Sequence, residues 1–137
     1  MRVLIIESSY HAAVADHLTD GATAALEKGL AEFVRVSVPG VLELTGAVAM
    51  ASQHHNFDAY VALGCVLGEG VVAETLYRET LSGLTRLSAQ GVALGNGVIF
   101  APHERAALAQ AVEGDAGGDA ARAALALATL RERLAIL

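Results

Sequence analysis

The 137-residue chain contains no tryptophan, a single cysteine and only two prolines, and its aromatic share is 4%. One cysteine cannot form a disulfide within the chain, which is typical of proteins kept in a reducing compartment. No apolar run approaches the roughly 20 residues that a bilayer span requires. The start of the chain also lacks the small-residue cleavage pattern of a secretory signal. We therefore expect a cytoplasmic protein without a membrane segment.

Positive charge is also scarce, because nine Lys and Arg stand against 15 Asp and Glu, for a net charge of -6. Nucleic acids and anionic membrane surfaces select basic patches, so neither is expected as a partner. Hydrophobic residues make up 54% of the chain, and many of them are alanine, which allows helices to pack closely and often accompanies oligomers. The length supports one domain, residues 1–137, with its own core.

Short apolar or β-branched segments alternate with segments of helical periodicity. The patterns predict strands at 3–6, 32–38, 58–67 and 92–100, and helices at 11–30, 41–55, 73–90, 102–112 and 120–137, with a turn at 114–119. In the last helix, Ala123, Leu127, Leu130, Leu134 and Leu137 form one apolar stripe. Strands separated by helices pair in parallel through right-handed crossovers. The expected fold class is α/β, a flavodoxin-like three-layer α/β/α sandwich with a four-stranded parallel sheet.

Ligands of such sheets bind at the carboxyl ends of the strands, so the loops there hold the candidate residues. Tyr10 is either a flat platform for a ring or a half-buried packing residue. Glu43 either accepts hydrogen bonds from ligand hydroxyls or simply lies favourably at a helix start. Cys65, within an apolar run, is interpreted as a small buried hydrophobe rather than a nucleophile. His54 and His55 have no spaced ligand partners, so no metal site is predicted.

Several segments together resemble a known family. "VPGVLEL" (38–44), "FDAYVALGCVL" (57–67), "GNGVIF" (95–100) and "GGDAARAALAL" (117–127) occur in the order and spacing typical of 6,7-dimethyl-8-ribityllumazine synthases, transferases of riboflavin biosynthesis. These enzymes condense a ribityl-amino-pyrimidinedione with a four-carbon ketose phosphate, and phosphate and two waters leave. The resemblance implies a site between adjacent subunits of a homopentamer, and it implies no cofactor.

The resemblance also implies roles for individual residues. Tyr10 would stack on the pyrimidine, and Glu43, in a loop with Val41 and Leu42, would accept hydrogen bonds from the ribityl chain. The strand end Cys65, Val66 and Leu67 would meet the pyrimidine edge through its backbone. Asn96 and Gly97 would close the pocket from the next subunit. The ligand is thus expected to be a ribityl-pyrimidine, a lumazine or a flavin.

The loop "VLGEGVVAET" (66–75) departs from the family pattern V-I-R-G-[GA]-T-x-H. Its arginine has no counterpart, and the phosphate loop is degenerate at Gly68, Glu69 and Gly70. The proton-shuttling histidine falls on Val72 or Ala73, so no catalytic residue is assigned. Glu74 aligns with an acid that the family often carries just beyond that histidine.

Two further cations of the family are also missing, since Gln110 and Ala116 stand at or near an arginine and a lysine. We expect condensation with 3,4-dihydroxy-2-butanone 4-phosphate to be weakened or lost. The alternative is a divergent paralogue that binds flavin or lumazine without catalysis, or serves assembly. A cation supplied by Arg78, Arg105 or Arg122 would restore the phosphate site. Only Met1 and Arg2 precede the first strand, which favours a pentamer or decamer over a sixty-subunit shell.

Overall fold

The computed structural model describes residues 1–137 and contains four strands and five helices. The strands are β1 (Arg2–Ser8), β2 (Glu32–Val38), β3 (Ala59–Leu67) and β4 (Leu94–Ala101). The helices are α1 (Ala12–Lys28), α2 (Leu44–Ser52), α3 (Val71–Ala89), α4 (Glu104–Val112) and α5 (Ala116–Ala135), and a 3-10 turn at Val41–Glu43 precedes α2. All strands are parallel, in the order β2-β1-β3-β4. The predicted flavodoxin-like α/β fold is confirmed.

The two central strands are buried on both faces, as their nearly unbroken apolar sequences predict. Alternate residues of β1 point to opposite sides of the sheet, so Ile5 joins one core and Ile6 the other. The core around Ile5 is covered by α1, α4 and α5, and the core around Ile6 by α2 and α3. This arrangement brings the loops that follow β1 and β3 to one edge of the sheet.

Helix α5 differs from the sequence-based expectation at its start. It begins at Ala116, so the predicted turn at 114–119 is wrong for its last four residues. The physical reason is a very close approach of neighbouring backbones. A Cβ added at Gly117 would lie 1.9 Å from the backbone oxygen of Leu18 in α1, and one added at Gly95 would lie 1.8 Å from that of Ala120. Glycine is therefore a packing residue here rather than a helix breaker.

The leucine stripe of α5 does not face the core. The buried face of the helix consists instead of small residues, Gly117, Gly118, Ala120, Ala121, Ala124 and Ala128. Leu127, Leu130 and Leu134 are exposed in the single chain. Two valines of the edge strand β2, Val34 and Val36, are also exposed. None of the five helices combines the length and hydropathy that crossing a bilayer would need.

Candidate functional site

A cleft of about 620 Å³ lies at the carboxyl ends of β1 and β3. Its walls come from the loop after β1, the 3-10 turn, the end of β3 and the first turn of α3. It is lined by Ser8, Tyr10, His11, Gly40, Val41, Leu42, Glu43, Cys65, Val66, Leu67, Gly68, Glu69, Val72, Ala73 and Leu76. Seven of the nine residues predicted to bind substrate thus border one space, where the topology of a parallel sheet predicts a ligand site.

The loop after β1 presents two rings to the cleft. Tyr10 is 78% exposed, so its packing on other residues of the chain is slight. His11 meets it edge to face, with ring centroids 4.9 Å apart and an angle of 88° between the ring planes. The His11 side chain is partly buried and makes no hydrogen bond within the chain. The sequence analysis assigned no role to His11, although its place beside Tyr10 at a strand end was a usable signal.

The opposite wall is formed by the 3-10 turn. The backbone N–H of Gly40 donates to Glu43 Oε1 at 3.0 Å, which holds the carboxylate at the mouth of the cleft and leaves Oε2 without a partner in the chain. Val41 is buried against β3, where a Cβ at Gly64 would lie 2.8 Å from Val41 Cγ1. Glycine at position 64 therefore lets the turn sit close to the sheet.

Cys65 lies at the end of β3 and is only 7% exposed. Burial of the thiol, with a smaller contribution from the negative charge of Glu104, raises the pKa of Cys65 to about 11. A thiol with this pKa is protonated near neutral pH and is a poor nucleophile. This supports its interpretation as a small buried hydrophobe rather than a nucleophile.

A second recess of about 400 Å³ adjoins the cleft and shares Gly68 and Glu69 with it. Gly68 and Gly70 have φ angles of 132° and 93°, a conformation that L side chains rarely adopt. Glu69 stands between them, exposed and without a hydrogen bond or ion pair. Glu74, in the first turn of α3, also lines the recess. The two ionisable side chains that face this space are therefore both acidic.

No lysine or arginine lines either space. Arg78 and Arg105 are absent from both linings. Arg122 is held by Asp119 at 2.6 Å and Asp115 at 3.0 Å, and these hydrogen bonds raise the pKa of its guanidinium. The three arginines that could have replaced the missing cations thus do not do so within one chain.

The positions of the two other expected cations are filled by neutral residues. Gln110 Nε2 donates to the carbonyl oxygen of Phe100 at 3.0 Å, near the end of β4. Ala116 begins α5. Neither position therefore supplies a positive charge.

Asn96 and Gly97 lie outside the cleft of their own chain. They pair with Ala62 and Leu63 in the middle of β4, the edge strand opposite β2. The Asn96 side chain accepts a hydrogen bond from the N–H of Val98 at 2.9 Å. Their predicted role in closing the pocket of a neighbouring subunit stays a prediction.

Fold and cleft together define a flavodoxin-like α/β protein with a cleft at the carboxyl ends of its strands, where proteins of this fold commonly bind ligands. The sequence model of 6,7-dimethyl-8-ribityllumazine synthase matches residues 1–132. The protein of that name from Novosphingobium aromaticivorans is 42% identical to this chain, and the alignment covers 96% of this chain and 97% of the relative. The one from Sphingopyxis alaskensis is 41% identical, and the alignment covers 98% of this chain and 97% of the relative. A third, in Erythrobacter litoralis, is 41% identical over 96% of both chains. The chain belongs to the 6,7-dimethyl-8-ribityllumazine synthase family.

Proposed function

We propose that the protein acts in riboflavin biosynthesis and binds a ribityl-amino-pyrimidinedione, a lumazine or a flavin at a subunit interface, with condensation with 3,4-dihydroxy-2-butanone 4-phosphate weakened or lost. One observation carries the proposal. The cleft keeps an aromatic face, an apolar wall and a free carboxylate oxygen, whereas the adjoining recess is lined by Glu69 and Glu74 without a cation.

The cleft suits a flat heterocycle with a polyhydroxyl chain. The exposed ring of Tyr10 offers a stacking surface, and such stacking contributes about 1–3 kcal/mol per base in comparable sites. Glu43 Oε2 is free to accept from hydroxyl groups. The backbone at the end of β3, from Cys65 to Leu67, borders the same space and can pair with the polar edge of a ring.

The recess is poorly suited to a dianionic phosphate. Hydrogen bonds to charged groups each contribute about 1.5–3 kcal/mol, and those that arginine and lysine would supply are missing. Glu69 and Glu74 add repulsion. The backbone N–H groups at the start of α3 still favour negative charge. The carboxylate of Glu74 lies in the first turn of that helix, however, and already interacts with this positive end.

Proton transfer at the family position is also lost. Val72 and Ala73 line the cleft where a histidine is expected, and removal of a general acid or base costs about 10²–10⁴ in rate. An amine and a ketone nevertheless condense unaided, so holding them together can still accelerate the reaction. Slow turnover is the expected behaviour.

A second candidate is a receptor or assembly protein without turnover. It is favoured by the simultaneous absence of a cation in the recess and of a titratable group at Val72 and Ala73. Under this alternative, riboflavin or a lumazine would bind as the end ligand rather than as a product.

A homo-oligomer, either pentamer or decamer, is part of the proposal. It is supported by two exposed apolar surfaces, the leucines Leu127, Leu130 and Leu134 of α5 and the valines Val34 and Val36 of β2, since exposed apolar patches commonly mark an interface. Sedimentation velocity tests it directly. A monomer at micromolar concentration, or a particle of sixty subunits, would contradict it.

The decisive experiment is a pair of titrations, first with the ribityl-amino-pyrimidinedione and then with riboflavin, followed by turnover with the ketose phosphate. Glu43→Gln is the matched variant, because it keeps the shape and removes the charge. Binding that weakens in Glu43→Gln, with turnover above the spontaneous rate, supports a slow synthase. Binding without turnover supports the receptor alternative, and no binding of either ligand refutes both.

A further inference from the structure

We propose that the imidazole of His11 transfers protons between the condensing amine and carbonyl groups in this cleft. The proposal rests on the pyrimidine-binding role described above and adds a catalytic residue to it. His11 lies in the short loop after β1, which ends at Ser8, and α1 begins at the next residue, Ala12. It is the only histidine that lines the cleft.

The condensation requires protons to move in a defined order. The amine nitrogen attacks the carbonyl carbon, a C–N bond forms, and the π pair of the carbonyl moves to its oxygen. The nitrogen then loses one proton and the oxygen gains one. In the second stage the nitrogen loses another proton, a C=N bond forms, and the oxygen takes that proton and leaves as water. A group that accepts a proton from nitrogen and returns it to oxygen is therefore regenerated in each stage.

The other ionisable side chains of the cleft fit this task less well. Cys65 is buried and its thiol stays protonated. Glu43 is held through Oε1 by the N–H of Gly40, and its free Oε2 is assigned to the ribityl hydroxyls. Glu69 lies where the cleft joins the recess. Histidine is the side chain whose ordinary pKa lies closest to neutrality, which suits it to give and take protons at cellular pH.

The geometry leaves His11 available. Neither imidazole nitrogen makes a hydrogen bond within the chain, whereas the imidazole of His103 is occupied by the N–H of Ala106. The edge-to-face contact with Tyr10 orients the ring. Partial burial keeps the imidazole beside the ligand space while it still reaches water.

His11 also borders the same cavity as the first turn of α3, where the family histidine is missing. Val72 and Ala73 belong to one wall of the cleft and His11 to another. The ionisable groups that share the cleft with it are Tyr10, Glu43, Cys65 and Glu69. A proton carrier on the first strand-to-helix loop would therefore serve the same ligand space as one on α3.

The simpler alternative is that His11 only packs against Tyr10. His11→Asn separates the two roles, because asparagine stays polar but does not titrate near neutral pH. His17→Asn, at an exposed position of α1 and outside the cleft, is the matched control. The assay uses the ribityl-amino-pyrimidinedione with butanedione, a dicarbonyl that carries no phosphate, so that the acidic recess does not limit the reaction. These two compounds form 6,7-dimethyl-8-ribityllumazine and two waters.

We expect His11→Asn to lower kcat by about 10²-fold or more, with less than about a threefold change in pyrimidine affinity. The limb of the pH–rate profile near neutrality should disappear in this variant and persist in His17→Asn. In His11→Ala, added imidazole should restore part of the rate. A merely structural role would produce neither the missing limb nor the rescue.

An unchanged rate and pH profile in His11→Asn would overturn the inference. So would loss of binding and rate together, without rescue by imidazole in His11→Ala. If the unaltered protein binds the pyrimidine but does not exceed the spontaneous rate, His11 is not a proton carrier and the binding half of the proposed function stands. If the unaltered protein does not bind the pyrimidine, the proposed function itself fails.

Discussion

Reversal of charge at Glu69 should increase affinity for phosphate-bearing ligands. Glu69 is exposed, makes no hydrogen bond or ion pair, and stands between two glycines whose positive φ angles set the loop backbone. Glu69→Arg therefore changes the charge of the recess by two units with little reason to change its shape.

The size of the recess sets the expected gain in affinity, because it limits the distance between residue 69 and a bound phosphate. A sphere of about 400 Å³ is roughly 9 Å across, and unit charges at that distance interact by about 0.5 kcal/mol in water. For a dianion and a two-unit change the total is about 2 kcal/mol, or about 30-fold in Kd. Because the Debye length at physiological ionic strength is about 8 Å, the gain should fall to about threefold there.

Isothermal titration calorimetry with 3,4-dihydroxy-2-butanone 4-phosphate, at low and at physiological ionic strength, measures the two expected gains in affinity. Glu79→Arg is the matched control, since it makes the same charge change on α3 at an exposed position outside the recess. Butanedione, which is uncharged, should react equally well with both variants. Equal gains in Glu69→Arg and Glu79→Arg, or a gain that does not depend on salt, would refute the local electrostatic reasoning.

Four further outcomes are expected. Val72→His should raise kcat by about 10-fold to 100-fold by adding a second proton carrier beside His11, and Val72→Ala should not. Equal rates in the two variants would show that a histidine at this position does not help. Tyr10→Ala should weaken pyrimidine binding by about tenfold, because stacking contributes about 1–3 kcal/mol. Tyr10→Phe should retain the affinity of the unaltered protein. A fully active Tyr10→Ala would exclude stacking. Gly117→Ala, whose Cβ would lie 1.9 Å from a backbone oxygen, should lower the free energy of unfolding in urea by about 1–3 kcal/mol. Gly46→Ala, with open space around it, should raise that free energy by about 0.5–1 kcal/mol. Similar effects of the two substitutions would contradict the packing argument. The pKa of Cys65 is raised to about 11 from an ordinary 9.0, so the unfolded state loses the thiol proton at lower pH than the folded state. The free energy of unfolding should therefore decline from about pH 9 to about pH 11. Cys65→Ala should remove that decline, and a decline that persists in the variant would come from other groups.

The sheet was predictable because its strands carry strong local signals. The run 58–67 is apolar on both faces, and the structure has β3 at Ala59–Leu67. The rule that parallel strands place their ligand at the carboxyl ends also brought Tyr10, Glu43 and Cys65 to one cleft. In each case the signal lies within a few neighbouring residues or in a topological rule.

The parts that sequence reasoning missed depend on contacts between distant segments. Periodicity correctly grouped the leucines of α5, yet the core selected the alanine and glycine face, because α1 and β4 approach too closely for large side chains. Nothing in the local sequence reports that distance. His11 is a different case, since its position next to Tyr10 at a strand end is a local signal that the sequence analysis did not use.

In the loop 68–70, the residues that determine the backbone conformation differ from the residue that carries the charge. Its backbone path depends on Gly68 and Gly70, which occupy regions of φ that other residues rarely enter, whereas Glu69 is exposed at the recess and makes no hydrogen bond or ion pair. The charge at this point can thus change by a single substitution while Gly68 and Gly70 keep the path of the loop backbone. The electrostatic character of the recess is therefore expected to vary independently of the fold that surrounds it.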